Sequence, residues 1–451
     1  MQKIDLKRLK RQEQAAEAWK NNRGEGTLEH PTGMGKTFTA LNIVMLKMFQ
    51  KNPNRTFLVI VPRIPLKEQW EALIKDAGLE NNTEVYVINS LIKLEEYKVD
   101  LIVLDEIHRY ASDEFKKVFS IVDYKYILGL TASMERLDQK HQLLQYHCPV
   151  VDTITTEEAK KNGWVAPYEE YALKIVMTDQ EKEKYDKINK AFIYYFAYFN
   201  HDFNLAMSCV KSKKSREDLA IKRGWDISLG MAHKWSPQRI QYNAMKFMVS
   251  MSNRKTFLYI LPQKMRVVEQ IYSGHKNTKT IIFSESTHFV DEIVSNNKYM
   301  LPYHSNIKTI VKTYKNARGE TKKKKISGNK QREANVVKFK KNGNPYKYIV
   351  TAKALDEGFD APDIELALIT SYTSNPTQKI QRRGRAARKW TFKDGSTKKP
   401  KIVYFYTADT QEEVWLKKSL KDASNIKFID SVDELFDQKK VTFFGEKSRN
   451  S

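Results

Sequence analysis

Short, almost uninterrupted runs of Val, Ile and Leu constrain this chain more than any other feature. "TFLVIVP" (56–62), "EVYVINS" (84–90), "DLIVLDE" (100–106) and "YKYILGLTAS" (124–133) lack the polar alternation of a strand with one wet face. Runs of this kind suit strands covered on both sides, the situation in parallel sheets flanked by helices. Amphipathic stretches such as "RIPLKEQWEALIKDAG" lie between them. Residues 1–150 therefore read as an α/β doubly wound domain, with ligands expected at the C-terminal ends of the strands. The same grammar returns in "KTIIFSES", "YKYIVTAKA", "IELALITSYT" and "KIVYFYTAD", which predicts a second α/β domain over residues 256–420. Residues 151–255 have a Lys/Glu-rich helical pattern, many aromatics and few strand signals, as expected of a linker carrying a helical insertion. Residues 421–451 form a polar tail that the pattern does not place.

Charge narrows the class of partner. A formal charge of +24 over 451 residues favours a polyanion, and nucleic acid is the usual one; a well-charged soluble surface is the plainer alternative. The stretch "KTYKNARGETKKKKISGNKQRE" (312–333) concentrates that charge in an apolar-poor segment, a mobile loop or an extended hairpin. Its lysine run 322–325 could grip duplex phosphates or stay solvated. Cys148 and Cys209 have no C-x-x-C spacing and no clustered His, so buried free thiols are expected rather than zinc or a disulfide. The charged N-terminus does not read as a signal peptide, and the apolar runs are too short to span a bilayer. A soluble, cytoplasmic protein without a membrane partner is the expectation.

The segment "HPTGMGKT" (30–37) is one residue short of the strict phosphate-loop pattern, because His30 stands where that pattern has glycine. A phosphate cradle needs consecutive backbone N–H groups and a helix N-terminus behind them. Gly33 and Gly35 permit the close backbone approach, Lys36 can reach the β- and γ-phosphates, and Thr37 offers a hydroxyl to Mg²⁺. A helix is expected to follow, since "TFTALNIVMLKMF" has apolar residues at helical spacing. His30 lies at the far end of the turn, where a side chain can point away from phosphate. In "LIVLDEIHRY", Asp105 and Glu106 end a hydrophobic strand; such acids can hold Mg²⁺ and orient an attacking water, or simply be solvated. In "QRRGRAAR" (381–388), Arg385 and Arg388 are three apart and share a helical face, from which guanidinium groups can stabilise a phosphoryl transition state. Arg382 and Arg383 read instead as a surface contact to a phosphate backbone.

Taken together, these segments resemble a superfamily 2 helicase, with eight motifs in order along most of the chain. "HPTGMGKT", "VPRIPLKEQW", "VINSL", "DEIH", "LTAS", "IIFSES", "TAKALDEGFDAPD" and "QRRGRAAR" are similar to motifs I, Ia, Ib, II, III, IV, V and VI. The resemblance implies two tandem RecA-like domains with ATP and Mg²⁺ between them. It implies that Gly33, Met34, Gly35, Lys36 and Thr37 bind triphosphate and metal, that Asp105 holds Mg²⁺ and that Glu106 acts on the hydrolytic water. Gln381, Arg385 and Arg388 would complete the site from the other domain, with Gly358 and Asp360 alongside. Gln12 resembles the glutamine that reads the adenine edge, although its surrounding spacing is off by about one residue. Thr131 and Ser133 would couple hydrolysis to motion, in a motif that departs mildly from the usual TAT or SAT. Nucleic acid would cross the opposite face, over Pro62, Arg63, Asn89, Ser90, Ser284, His304, Ser305, Thr351 and Lys353. Ordinary strand-end turns are the alternative for each of these.

"TAKALDEGFDAPDIELAL" and "VPRIPLKEQW" are similar to the group containing XPB-type helicases, restriction-enzyme motor subunits and phage UvsW-like proteins. A compact motor without a nuclease resembles the phage branch-migration helicases, the T5 type among them. That implies single-stranded, forked or branched DNA as partner, with replication or recombination proteins as further partners, in the host cytoplasm if the chain is phage-encoded. An RNA-remodelling ATPase and a duplex translocase that separates no strands are the alternatives. In the insertion, Phe192, Tyr195, Phe196 and Phe199 share one helical face and read as core, whereas Tyr194 and Tyr198 are candidates for base stacking.

Overall fold

A computed structural model describes residues 5–93, 96–112, 115–134, 141–230, 233–315, 320–352, 361–371, 376–419, 425–436 and 442–443. The first sheet contains β1 (Glu25–Glu29), β2 (Phe57–Val61), β3 (Thr83–Val87), β4 (Tyr97–Asp105), β5 (Val122–Thr131) and β6 (Val150–Thr153). All its pairings are parallel, in the order β3-β2-β4-β5-β1-β6. The apolar runs explain it. Successive residues of a strand face opposite ways, so Val59, Val61, Leu101 and Val103 pack with Trp70 and Val44 on one side. Leu58, Ile60, Ile102 and Leu104 pack with Tyr110 and Leu144 on the other. The sheet is thus dry on both faces.

The second sheet contains β7 (Glu169–Ile175), β8 (Thr280–Ser284), β9 (Met300–Tyr303), β12 (Tyr348–Ala352), β13 (Leu366–Ile369), β14 (Lys401–Thr407), β15 (Ile426–Ile429) and β16 (Thr442–Phe443). Its order is β16-β15-β7-β14-β13-β8-β12-β9, parallel except for the β15–β16 pair. It too has an apolar cluster on each face. The antiparallel pair β10 (Ile310–Lys315) and β11 (Thr321–Ile326) stands apart from both sheets. The basic stretch is therefore a hairpin.

The segment read as linker and helical insertion contributes more strand than its composition suggests. Val150–Thr153 closes the edge of the first sheet, and Glu169–Ile175 is an interior strand of the second, between β14 and β15. "EEYALKI" reads as only weakly apolar because Glu169 and Glu170 meet specific partners: Lys427 at 2.9 Å and the Tyr404 hydroxyl at 2.6 Å. Helices Asp179–Ala197, Phe203–Lys211, Lys213–Lys222 and Pro237–Tyr259 form the insertion around Phe199, Phe247 and Ile240. Phe192, Tyr195 and Phe196 pack against that cluster as their spacing predicts; Tyr194 is exposed, while Tyr198 is half-buried under Arg223. From the polar tail, Ile426–Ile429 joins the second sheet. Both cysteines are free and buried.

Candidate active site

Three adjacent strands of the first sheet deliver the site. β4, β5 and β1 are neighbours, and register pairs Asp105 with Leu130 and Glu29 with Thr131. Asp105, Thr131 and the start of the 30–37 loop therefore emerge side by side at one edge of the sheet. Gly33 and Gly35 adopt φ of 97° and 79°, left-handed values that favour glycine. A Cβ on Gly35 would lie 2.8 Å from Gln12 Nε2 and 3.0 Å from Arg8 Nη2, so both side chains would have to shift, and the left-handed φ strains any other residue there. The helical segment behind it runs from Lys36 to Lys51, with a π-type stretch over Thr39–Met45 that buries Leu41, Val44 and Met45.

His30 is fully buried, and its Nε2 lies 2.6 Å from Asp152 Oδ2 on β6. Burial lowers the imidazole pKa more than Asp152 raises it. A neutral ring that donates Nε2–H to the carboxylate accounts for the lack of a partner at Nδ1 among the described residues. Burial pushes the Asp152 carboxyl up, but hydrogen bonds from His30 and Arg11 outweigh that and hold it below the usual carboxylate range. Arg11 Nη1 donates to both Asp152 oxygens at 2.9 and 3.0 Å. The residue that breaks the phosphate-loop pattern thus fastens the loop to the sheet edge and to helix Leu6–Asn21. It faces away from the cradle.

A cleft of about 880 Å³ opens between the two sheets' domains. Gly33, Gly35, Lys36, Thr37, Asp105 and Glu106 line it from one side, and Gln381, Arg385 and Arg388 from the other. Lys36 Nζ donates to the His30 carbonyl at 2.9 Å. Burial lowers the Lys36 pKa; the carboxylates of Glu106 and Asp105 oppose that shift, and the guanidinium groups of Arg385 and Arg388 add to it. One lysine thus feels four charged residues drawn from motifs II and VI. Trp70 Nε1 donates to Asp105 Oδ2 at 2.9 Å, which orients that carboxylate. Glu106 has φ 55° and ψ 50°, a left-handed conformation that costs a non-glycine residue on the order of 1–3 kcal/mol. Its buried Oε2 has no hydrogen-bond partner among the described residues and lies 3.4 Å from His108 Nδ1. His108 Nδ1 is 3.0 Å from Thr131 Oγ1, and Thr131 Oγ1 in turn donates to the Ser133 carbonyl at 2.7 Å. Gln381 is almost fully buried, with Nε2 unpartnered among the described residues.

These donors fit a nucleotide triphosphate with a divalent cation. The glycine cradle, the unpartnered Gln381 amide and the cations from two domains suit phosphate oxygens. Thr37 and Asp105 suit a hard cation that takes its other ligands from phosphate and water. Among the described residues no cluster of three or more His, Cys, Asp or Glu could hold a metal ion.

Several sequence readings change. Gln12 does not line the cleft; its amide donates to the Met34 carbonyl at 2.7 Å, and Arg8 reaches the Gly33 carbonyl at 2.6 Å. Met34 turns its side chain into a core with Trp164, Val165, Ile154 and Ala159. Arg382 is not a surface cation, since it is buried and pairs with Glu285 beside the Phe283 ring. Arg383 lies inward too, against Glu170, Thr156 and Tyr168. Of the proposed nucleic-acid residues, Asn89, Ser90 and Ser305 are exposed and Pro62 and Arg63 half-buried. Ser284, His304 and Thr351 are buried at strand ends. Ser284 Oγ accepts from Ser286 N–H at 3.1 Å and His304 Nε2 pairs with Asp291 at 2.9 Å, while His304 Nδ1 has no hydrogen-bond partner among the described residues. Gly358, Asp360 and Lys353 lie outside the described residues. Arg8, Trp70, Trp164 and Trp390 were missed; no motif spacing marks them, and only an amphipathic reading of helices 6–21 and 64–76 would have turned Arg8 and Trp70 toward the loop.

Residues 5–136 match the family model described as type III restriction enzyme, res subunit, and residues 263–389 match the helicase conserved C-terminal domain. The DNA 3'-5' translocase XPB2 of Sulfurisphaera tokodaii is 29% identical over 430 residues, which cover 90% of this chain and 83% of the relative. The two family matches and this relative support a superfamily 2 DNA helicase. Among solved structures, the Hef helicase domain of Pyrococcus furiosus aligns over 91% of this chain and 97% of its own, with a TM-score of 0.52 at 14% identity. The S. cerevisiae Dbp5 bound to RNA and ADP BeF3 aligns over 94% and 90%, with a TM-score of 0.56 at 12% identity. These two likenesses establish the tandem RecA-like fold. No described helix is long and apolar enough to cross a membrane.

Proposed function

We propose that this chain is an ATP-hydrolysing DNA motor that unwinds or branch-migrates forked and junction DNA. The observation that carries the reading is the shared cleft, where Lys36, Asp105 and Glu106 from one domain face Gln381, Arg385 and Arg388 from the other. An active site divided in this way couples hydrolysis to domain motion, because its charges converge only when the domains approach. Similarity to a DNA translocase over 90% of the chain supports DNA as the track, and so does a charge of +24.

Each group has a role that its position permits. The loop amides around Gly33 and Gly35 hold the phosphates, and Lys36 leaves the His30 carbonyl to meet them. Thr37 and Asp105 hold Mg²⁺, which neutralises phosphate charge when bound. Glu106, in its strained backbone, orients and deprotonates the attacking water. Arg385 and Arg388 stabilise charge developing on the transferred group, and Gln381 donates to it. His108, Thr131 and Ser133 relay the state of the site toward the opposite face. Pro62, Arg63, Asn89, Ser90 and Ser305 contact the strand there, with the backbone around Ser284, His304 and Thr351 alongside.

The test is the ATPase rate with matched single-stranded DNA, duplex, fork, four-way junction and single-stranded RNA, with strand displacement followed on the same samples. Stimulation by branched DNA with released strand is expected. Stimulation by RNA alone would replace the reading with an RNA-remodelling ATPase, and hydrolysis without displacement would make the chain a duplex translocase.

A further inference from the structure

The hairpin β10–β11 belongs to neither sheet, and an isolated two-stranded ribbon is marginal by itself. Its sequence makes matters worse. Lys312 lies directly opposite Lys324, a like-charge pair that a sheet avoids unless an anion lies between or beside them. One face carries Lys312, Lys322 and Lys324; the other carries Lys323 and Lys325. All five are exposed, and Lys322 alone has an acid within reach among the described residues, Glu320 at 4.0 Å. A ribbon that docks flat on a partner needs one charged face. This one has two.

The root of the hairpin is held firmly and in a telling place. Gln331 Nε2 donates to the carbonyls of Lys308 and Ile326, one beside each strand at the root, at 2.8 and 3.1 Å. Arg332 donates to the His304 carbonyl at 3.1 Å, just after β9. Next to it, burial raises the Tyr303 pKa, while Arg332 and, across the interdomain gap, Arg63 lower it. The ribbon therefore rises from the sheet edge at Tyr303 and Ser305, both within reach of Arg332 and neither lining the ATP cleft.

We infer that this hairpin inserts lengthwise into the major groove of duplex DNA, with its two lysine faces toward the two phosphate walls. The inference rests on the proposed DNA motor and adds the form of DNA that this element holds. The major groove of B-form DNA admits a two-stranded ribbon. Six residues per strand give a blade about 20 Å long, enough to follow the groove past several phosphates. The lysines then grip the unopened duplex while the face opposite the ATP cleft works on one strand.

Four lysines are replaced in the full chain, in two pairs: Lys312→Gln with Lys324→Gln for one face, Lys323→Gln with Lys325→Gln for the other, and all four together. Affinity for a blunt duplex, a single strand of equal length and duplex RNA is measured against salt. Each pair is expected to reduce the log K against log salt slope for duplex DNA by about 1.8, and the quadruple variant by about 3.6, at roughly 0.9 per phosphate contact. Single-strand binding should stay within about twofold, as should duplex RNA, whose deep, narrow major groove excludes the ribbon. ATPase activity without nucleic acid and the melting temperature should not fall. An unchanged duplex slope, an equal loss on single strands or on duplex RNA, or an effect of one face alone would each overturn the inference. If wild type hydrolyses ATP in response to DNA and the variants keep their slope, only the hairpin assignment fails. If wild type does not respond to DNA at all, the proposed function fails and the hairpin assignment with it.

Discussion

Gly384 sits in helix Pro376–Ala386, where its bare Cα faces the phosphate loop across the cleft. A Cβ placed there would lie 2.5 Å from Thr32 Cβ, 2.7 Å from its Oγ1 and 3.0 Å from its Cγ2. Carbon atoms pack at about 3.5–4.0 Å, so Gly384→Ala forces the helix back by roughly 1–1.5 Å. Arg385 is the next residue and moves with it. A displacement of about 1 Å at a catalytic group can cost about 100-fold in rate, and loss of a preorganised donor about 100- to 1,000-fold. We expect kcat for DNA-stimulated hydrolysis to fall about 100-fold, with KM for ATP within about threefold because the loop that holds the phosphates is untouched. Stability should not fall, since Ala is favoured over Gly in a helix by up to about 1 kcal/mol. Thr32→Gly removes all the clashing atoms, so the double variant should recover at least about tenfold over Gly384→Ala alone. Phosphate release at saturating ATP and a thermal melt decide the matter. A kcat within threefold of wild type, or a loss that Thr32→Gly leaves untouched, would refute the packing argument.

Lys36→Ala should abolish hydrolysis and leave DNA binding largely intact; retained turnover would remove Lys36 from the site. His30→Gly restores the phosphate-loop pattern, yet should destabilise the first domain by about 1.5–3 kcal/mol through loss of a hydrogen bond to a charged partner, read from the first unfolding transition in urea. The Asp152 carboxyl is held below its usual range, so its contribution to stability is present above the unfolded carboxylate value, about pH 4, and is lost as pH falls through the lower folded value. Asp152→Asn should flatten that acid limb, and an unaltered acid-unfolding profile would contradict the pairing. Trp70→Phe removes the indole donor that orients Asp105 and should raise the Mg²⁺ concentration for half-maximal hydrolysis about 10- to 100-fold. Burial pushes the Cys148 thiol up to about 12, so at pH 8 it should resist alkylation in the folded chain and react on unfolding.

The legible parts of the chain were those where local chemistry and burial agree. The β2, β4 and β5 runs are apolar because both of their faces are dry, and that is visible in one dimension. The phosphate loop and the strand-end acids were legible because their chemistry needs neighbours in sequence. What hid was chemistry satisfied from a distance. β7 carries glutamates in a sheet interior because Lys427 and Tyr404 meet them from more than two hundred residues away. Ser284 and His304 look like surface residues in sequence, yet both are buried, with Ser286 and Asp291 as internal partners. Arg382 belongs to a basic run in sequence and to a buried ion pair with Glu285 in space.

That last residue shows how the second domain can respond to the cleft at all. Gln381 and Arg385 are four apart on helix Pro376–Ala386 and reach into the cleft. Arg382 and Arg383, between them, reach back into their own domain: Arg382 to Glu285 just past the end of β8, and Arg383 to Glu170 on β7. A helix tied to its own domain at two strands cannot follow a phosphate with one side chain alone, because buried pairs are costly to break. Whatever draws Arg385 toward Lys36 must draw β7 and β8 with it. Helix Gly328–Lys340 holds the hairpin root and packs on β9, in that same sheet. The hairpin and the helix of the arginine pair are thus fastened to one sheet, and on the proposed reading each closure of the cleft would move the grip along the DNA.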